Sequence, residues 1–321
     1  MVLIRLLGDI LRFYAIWQRL FLIDALVHGV AHAIKACIRL SQGAKLKVPQ
    51  PILVTELFPE LRGHLLELLG DLSPDEWNLP TAARLWSVKD ITLHLLGGDI
   101  GVLSRKRDAF SPSGRSIDGY DDLVAFINGL NETWLRATRR MSTPVLLDLL
   151  AHTGPHVEAY FSALDPFAAG ESVSWMGPGP APVWADIARE YTERWHHQQQ
   201  IRDATSRPGL YSPRLFAPVI DAFVRALPRT FREVSAPADT CVQLSLTGPG
   251  GGVWCMRKTT ETWELLVGAA ESPAAEVTLK SEDAWKVFTR GLSEGEALKR
   301  ARIQGDERLA AKLLKTVSVI A

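Results

Sequence analysis

Residues 85–95 read Leu-Trp-Ser-Val-Lys-Asp-Ile-Thr-Leu-His-Leu, and residues 193–204 read Glu-Arg-Trp-His-His-Gln-Gln-Gln-Ile-Arg-Asp-Ala. In the first stretch Ser87 stands where an N-cap belongs, and Ile91, Leu95, Val102 and Leu103 recur with a helical period. The pattern predicts a helix from 88 to about 107, with His94 turned inward or nearly so. The second stretch belongs to a predicted helix over 183–204, preceded by the Gly/Pro-rich residues 176–182 and stopped by Arg207-Pro208-Gly209. Glu193 and His197 are four apart on it, an offset of about 40° around the axis, so both side chains reach one point.

Outward from these two helices the chain keeps a helical period on the N-terminal side. Leu57, Leu61, Leu65, Leu68 and Leu69 predict a helix over 53–69 with Gly70 as its C-cap. Ser73-Pro74-Asp75-Glu76 combines an N-cap, a proline at N1 and an acidic N3, which opens a short helical turn. Helices are also predicted over 120–140 and over 142–164, the latter ended by Asp165-Pro166. Beyond a linking helix over 213–231 the period changes to two. Val242-Gln243-Leu244-Ser245-Leu246 alternates, and strands over 253–257 and 263–267 follow. Gly248-Pro249-Gly250-Gly251-Gly252 lacks the Lys-Ser/Thr of a phosphate loop and lies between strands, so it reads as a hairpin turn. A strand over 275–279, helices over 281–289 and 293–299, a strand over 301–304 and a helix over 306–315 complete the pattern. The expected division is an amphipathic helical extension over 1–50, a helical bundle over 51–207, a linking helix over 208–239 and a smaller mixed α/β domain over 240–321.

A length of 321 residues suits two compact domains. With 36 basic against 36 acidic residues, the chain has none of the charge excess of a partner for nucleic acid. Cys37, Cys241 and Cys255 are too few and too scattered for a disulfide framework or a Cys-rich zinc site, and a reducing cytoplasmic setting is expected. Cys241 and Cys255 read as buried strand thiols. Residues 1–40 are rich in Leu, Ile, Phe and Trp but interrupted by Arg5, Asp9, Arg12, Arg19 and Asp24. They read as amphipathic helices that pack on the protein or touch a membrane surface weakly, not as a transmembrane span or secretory signal.

His94 can join Glu193 and His197 from a facing helix. Two imidazoles and a carboxylate are a ligand set that zinc accepts, and three protein ligands leave a fourth position open. Spacing alone does not carry this, because Glu-x-x-x-His recurs by chance and His28/His32 and His152/His156 share the four-residue interval. Pro155 inside the last pair is expected to disrupt the helix. His196, about 100° from His197, reads as an outer or surface residue, and Trp86, Trp184 and Trp195 as packing residues near the end of the bundle. Arg290 and Arg302 are candidates for clamping a substrate carboxylate, because a guanidinium fork matches it bidentately.

Residues 85–95 resemble the Trp-Ser/Thr-Val-x-Asp-x-x-x-His-Leu signature of the mycothiol-dependent maleylpyruvate isomerase family, within the DinB-like superfamily. Residues 193–204 are similar to its second signature, Glu-x-Trp-x-His-Gly-Gln-Asp-Ile-Arg, with Gln198 in place of Gly and Gln200 in place of Asp. Residues 244–252, 284–291 and 302–306 look like that family's C-terminal domain, which resembles sterol carrier proteins. The resemblance runs from 53 to the C-terminus. It implies an α+β multidomain fold, with an N-terminal DinB-like four-helix bundle followed by a smaller mixed α/β sterol-carrier-like domain. It also implies a divalent metal, expected to be zinc, on His94, Glu193 and His197, and a low-molecular-weight thiol such as mycothiol as cofactor. The expected function is isomerisation of, or thiol transfer to, an electrophilic unsaturated small molecule such as maleylpyruvate, with Arg302 holding a substrate carboxylate. Two other readings use the same residues: metal-assisted hydrolysis by bound water, and a non-catalytic module with a structural metal that binds a small molecule or lipid in its C-terminal part.

Overall fold

The computed structural model describes residues 46–83, 85–110, 118–173, 175–177 and 179–318. The expected N-terminal amphipathic helices, with His28, His32 and Cys37, lie outside the described residues. Five helices come first: α1 (Phe58–Gly70), α2 (Val88–Gly101), α3 (Tyr120–Thr138), α4 (Thr143–Ser162) and α5 (Val183–Ala204). The leucine stripe of α1 is buried as its spacing dictates, with Phe58, Leu61, Leu65, Leu68 and Leu69 all inside. Ser73 bonds to Glu76 through both its amide and its hydroxyl, and a single 3₁₀ turn, Glu76–Asn78, follows. Helix α2 packs against α3, α4 and α5 and is correspondingly apolar on most of its surface. It continues into a π-helical stretch, Val102–Arg107, where the sequence predicts uninterrupted α-helix.

Two features of this half depart from expectation. A small antiparallel pair, β1 (Ala169–Ser172) with β2 (Pro180–Pro182), occupies what reads as a Gly/Pro-rich loop. Helix α4 also runs unbroken through Pro155, against the expected disruption. Leu150, Thr153, Gly154 and Val157 are buried on both sides of the proline, and α4 packs on α1 and α2. Tertiary packing therefore supplies what one missing backbone hydrogen bond removes.

The linking segment is two helices, α6 (Pro213–Val224) and α7 (Leu227–Phe231), rather than one. The sheet that follows has the order β5-β4-β3-β6-β7, with β3 (Cys241–Thr247), β4 (Gly252–Lys258), β5 (Trp263–Val267), β6 (Ala275–Lys280) and β7 (Arg302–Gly305). All pairings are antiparallel except β3 with β6, which is parallel. Helices α8 (Ser281–Phe288), α9 (Glu294–Arg300) and α10 (Glu307–Leu314) complete the chain. Gly250, at φ +65°, closes the β3–β4 turn against the backbone of Phe216 and Ala217, an approach that a side chain there would prevent. Cys255 is fully buried on β4 and Cys241 half-buried on β3.

One hydrophobic core runs from Phe58, Trp184, Tyr191 and Trp195 of the bundle, through Phe216, Ile220 and Phe223 of α6, to Leu244, Trp254, Trp263 and Trp285 of the sheet region. A second core, around Leu65, Trp77, Leu93, Leu96, Leu146 and Ile201, fills the other end of the bundle. Among the described residues no helix is long and apolar enough to cross a membrane.

Candidate metal centre

The geometry of the site starts with the cap of α2. Ser87 accepts a bond from the Asp90 amide while the Asp90 carboxylate accepts from the Ser87 amide, a reciprocal capping box. Arg139, just after α3, grips the same carboxylate with bonds of 2.8 and 3.2 Å. This fixes the start and tilt of α2 one turn before His94. Trp134 of α3 donates to the Leu93 carbonyl at 2.8 Å, and its indole crosses Gly97 so closely that a Cβ there would lie 2.7 Å from the ring nitrogen.

Against this braced face α5 presents Glu193 and His197. The ring centroids of His94 and His197 are 4.7 Å apart, and Trp86 lies 4.8 Å from His94 as a wall. His197 Nε2 is 3.4 Å from Glu193 Oε2, and one donor atom from each of His94, Glu193 and His197 lies within 4.8 Å of the others. Donors on a tetrahedral zinc lie about 3.4 Å apart, so His197 and Glu193 are already at ligand spacing and the widest pair has to close by up to about 1.4 Å to hold a dication. The donor chemistry fits as well. Burial, with His197 nearby, lowers the His94 pKa to about 4, leaving the imidazole neutral, although Glu193 opposes the shift. Burial raises the Glu193 carboxyl, but the His197 hydrogen bond and the nearby His196 and His94 outweigh it and hold it well below the usual carboxylate range.

His197 Nδ1 donates to the side-chain oxygen of Gln200 at 2.9 Å, which turns Nε2 toward the cluster. Thus Gln200, a departure from the family signature, still does the orienting that an acidic residue would do. Gln198, the other departure, is fully buried and donates to the Leu61 carbonyl, tying α5 to α1. His196 is buried, not a surface residue: burial lowers its pKa to about 3, and its Nδ1 bonds the Thr192 carbonyl.

Sequence reasoning missed the ion network beside the cluster. Lys106 of the π-helical stretch meets Asp186, with Glu190 at 3.7 Å; Arg189 bridges Asp186 and Glu190; Arg194 links Glu190 to Asp99, which accepts from Thr153. The signal was the i,i+3 and i,i+4 sign alternation of Asp186, Arg189, Glu190 and Arg194. Burial raises the Glu190 pKa, but Arg189, Arg194 and Lys106 outweigh it and hold the carboxyl at about 2, from an ordinary 4.5. Between these values the unfolded chain binds the extra proton, so the stabilisation is complete above about pH 4.5 and is lost as pH falls toward about 2. We expect Glu190→Gln to unfold at lower urea than wild type at pH 7, with the gap narrowing between pH 4.5 and 2. A constant gap across that range would contradict the charge assignment.

Trp195 stacks on Phe216 and meets Trp285 edge-on, so its side of α5 faces the sheet region, while Glu193 and His197 lie about 200° away in either direction. Arg302 sits exposed on the edge strand β7, beside the Gln304 amide. Arg290 follows α8 with a left-handed backbone, φ +58°.

Fold and cluster together define a helical-bundle protein with a His-Glu-His candidate dication centre, followed by an α+β sheet region. Residues 58–202 match the family model of the mycothiol maleylpyruvate isomerase N-terminal domain. Among solved structures, a mutant of the mycothiol-dependent maleylpyruvate isomerase is 9% identical, with a TM-score of 0.49, covering 78% of this chain and 91% of that one. A second structure of that enzyme is also 9% identical, with a TM-score of 0.46, covering 73% of this chain and 86% of that one. A sterol carrier protein 2-like protein from Aedes aegypti is 24% identical, with a TM-score of 0.24, covering 30% of this chain and 93% of that one. A search of curated protein sequences gives no match.

Proposed function

We propose that this chain is a metal-dependent enzyme that uses a low-molecular-weight thiol, mycothiol or a close analogue, to isomerise an electron-poor unsaturated small acid such as maleylpyruvate, or to add the thiol to it. The observation that supports this reading is the convergence of His94, Glu193 and His197, two imidazoles and one ionised carboxylate, on one point of a bundle that matches that family model. A dication held by these donors, zinc by their nitrogen and oxygen chemistry, lowers the pKa of a thiol so that it is available as thiolate at neutral pH.

The protein's own part is orientation and exclusion of water. Gln200 orients the His197 ring, Trp134 holds the backbone beside His94, and Trp86 shields one side of the cluster. The Glu193 side chain is 29% exposed against 8% for His197, so the thiol and the unsaturated acid approach past Glu193. Addition of the thiol to the double bond leaves a single bond, rotation about it and elimination of the thiol then give the trans isomer, and atoms balance because the thiol is returned. Arg302, exposed on β7, is the residue proposed to hold a substrate carboxylate, because its guanidinium fork matches a carboxylate bidentately.

The test is metal content of purified wild type and His94→Ala, with thermal unfolding measured with and without a chelator, followed by maleylpyruvate turnover with and without added thiol. About one equivalent of zinc, lost in the variant, together with thiol-dependent isomerisation is the expected result. Turnover that proceeds without thiol would move the reading to hydrolysis or another chemistry. A wild-type protein that neither contains nor takes up zinc would end it. Gln200→Leu is expected to weaken metal binding ten- to a hundredfold with the fold intact, read by competition with a chromophoric chelator.

A further inference from the structure

Helix α4 carries a second pair of imidazoles, on its outer face. His152 and His156 are both exposed, one turn apart, with ring centroids 5.0 Å apart and planes at 67°. The pair depends on the helix running through Pro155. A break there would splay the two rings, whereas the continuous helix stacks them on one face at the four-residue interval. Among the described residues neither ring is held by a hydrogen bond or an ion pair, unlike His196 and His197. Their exposure means that a cation reaches them without burying charge.

We propose that His152 and His156 form a second divalent-metal site, separate from the cluster of His94, Glu193 and His197, taking an imidazole-preferring transition-metal cation with water in its remaining positions. Two imidazoles without a carboxylate favour nickel, copper and zinc over magnesium or calcium, and copper binds tightest in the first-row order. The site spans the turn in which Pro155 has no N–H to bond the Ala151 carbonyl, so a cation across the two rings staples the weakest turn of α4. Because the cation binds the folded helix and not the unfolded chain, its occupancy raises the thermal midpoint. The proposal does not rest on the reading of the bundle cluster, since it shares no ligand with it.

The experiment is nickel and zinc titration of the full chain, stripped of metal, against a chromophoric chelator, for wild type, His152→Gln/His156→Gln, His94→Ala and the triple variant. The expected result is one equivalent fewer in the double variant than in wild type, a separate loss in His94→Ala, and both losses in the triple variant. Added nickel should raise the thermal midpoint of His94→Ala and leave that of the triple variant unmoved. Both double-variant positions are exposed, and far-UV circular dichroism checks that the helix content is kept. The same number of equivalents in wild type and His152→Gln/His156→Gln would overturn the proposal, whatever His94→Ala does. Loss in His94→Ala without loss in the double variant would leave the bundle cluster as the only site of the two.

Discussion

Glu193→Gln is expected to lose the bound dication while leaving the fold in place. The carboxylate is the only anionic donor in the cluster, and it is held ionised although burial opposes the charge. An amide at the same position offers one neutral oxygen and keeps a donor to repel the metal. Removal of an outer partner of a metal ligand costs ten- to a hundredfold in affinity, so loss of the one charged ligand should exceed that range. Isothermal titration with zinc, alongside far-UV circular dichroism, measures it. An unchanged affinity in Glu193→Gln would show that the cluster does not hold the metal. Loss of affinity together with collapse of the helical signal would instead assign Glu193 a structural role.

The second large effect is expected from Trp195→Ala. Trp195 is fully buried, stacks on Phe216 at 4.8 Å, meets Trp285 edge-on at 5.6 Å, and donates to the Leu210 carbonyl. It sits where the bundle core continues into the core beneath the sheet, so truncation opens a cavity on both sides and orphans the Leu210 carbonyl. Substitutions of this kind cost about 3–5 kcal/mol. Urea unfolding followed by far-UV circular dichroism and by tryptophan fluorescence should show both midpoints falling together. A loss under about 1 kcal/mol, the size typical of an ordinary point change, would mean that the junction is held elsewhere. Metal affinity should be nearly unaffected in the folded variant, because Glu193 and His197 leave the other side of the helix.

Much of the fold was legible because it is local. The cap at Ser87, the 183–204 helix, the alternation through Val242–Leu246 and the order of the last strands and helices follow from periodicity and turn chemistry. The candidate ligands were legible only through the resemblance of residues 85–95 and 193–204 to two family signatures, because the spacing of Glu193 and His197 recurs by chance on many helices. Less visible were features that need contacts between segments far apart in sequence: Arg139 on Asp90, Trp134 against Gly97, and the network joining Lys106, Glu190, Arg194 and Asp99.

What the sequence by itself determined is which residues could form helices and strands, and which few carry ligand chemistry, because dihedral preferences, caps and hydrophobic period act over neighbouring residues. Only the tertiary structure decided that α4 survives Pro155, that His196 is buried and neutral, and that Gln200 orients His197. Each of those outcomes depends on which faces are pressed together and which charges are removed from water. These are energies of packing and desolvation between distant segments, and no local pattern encodes them.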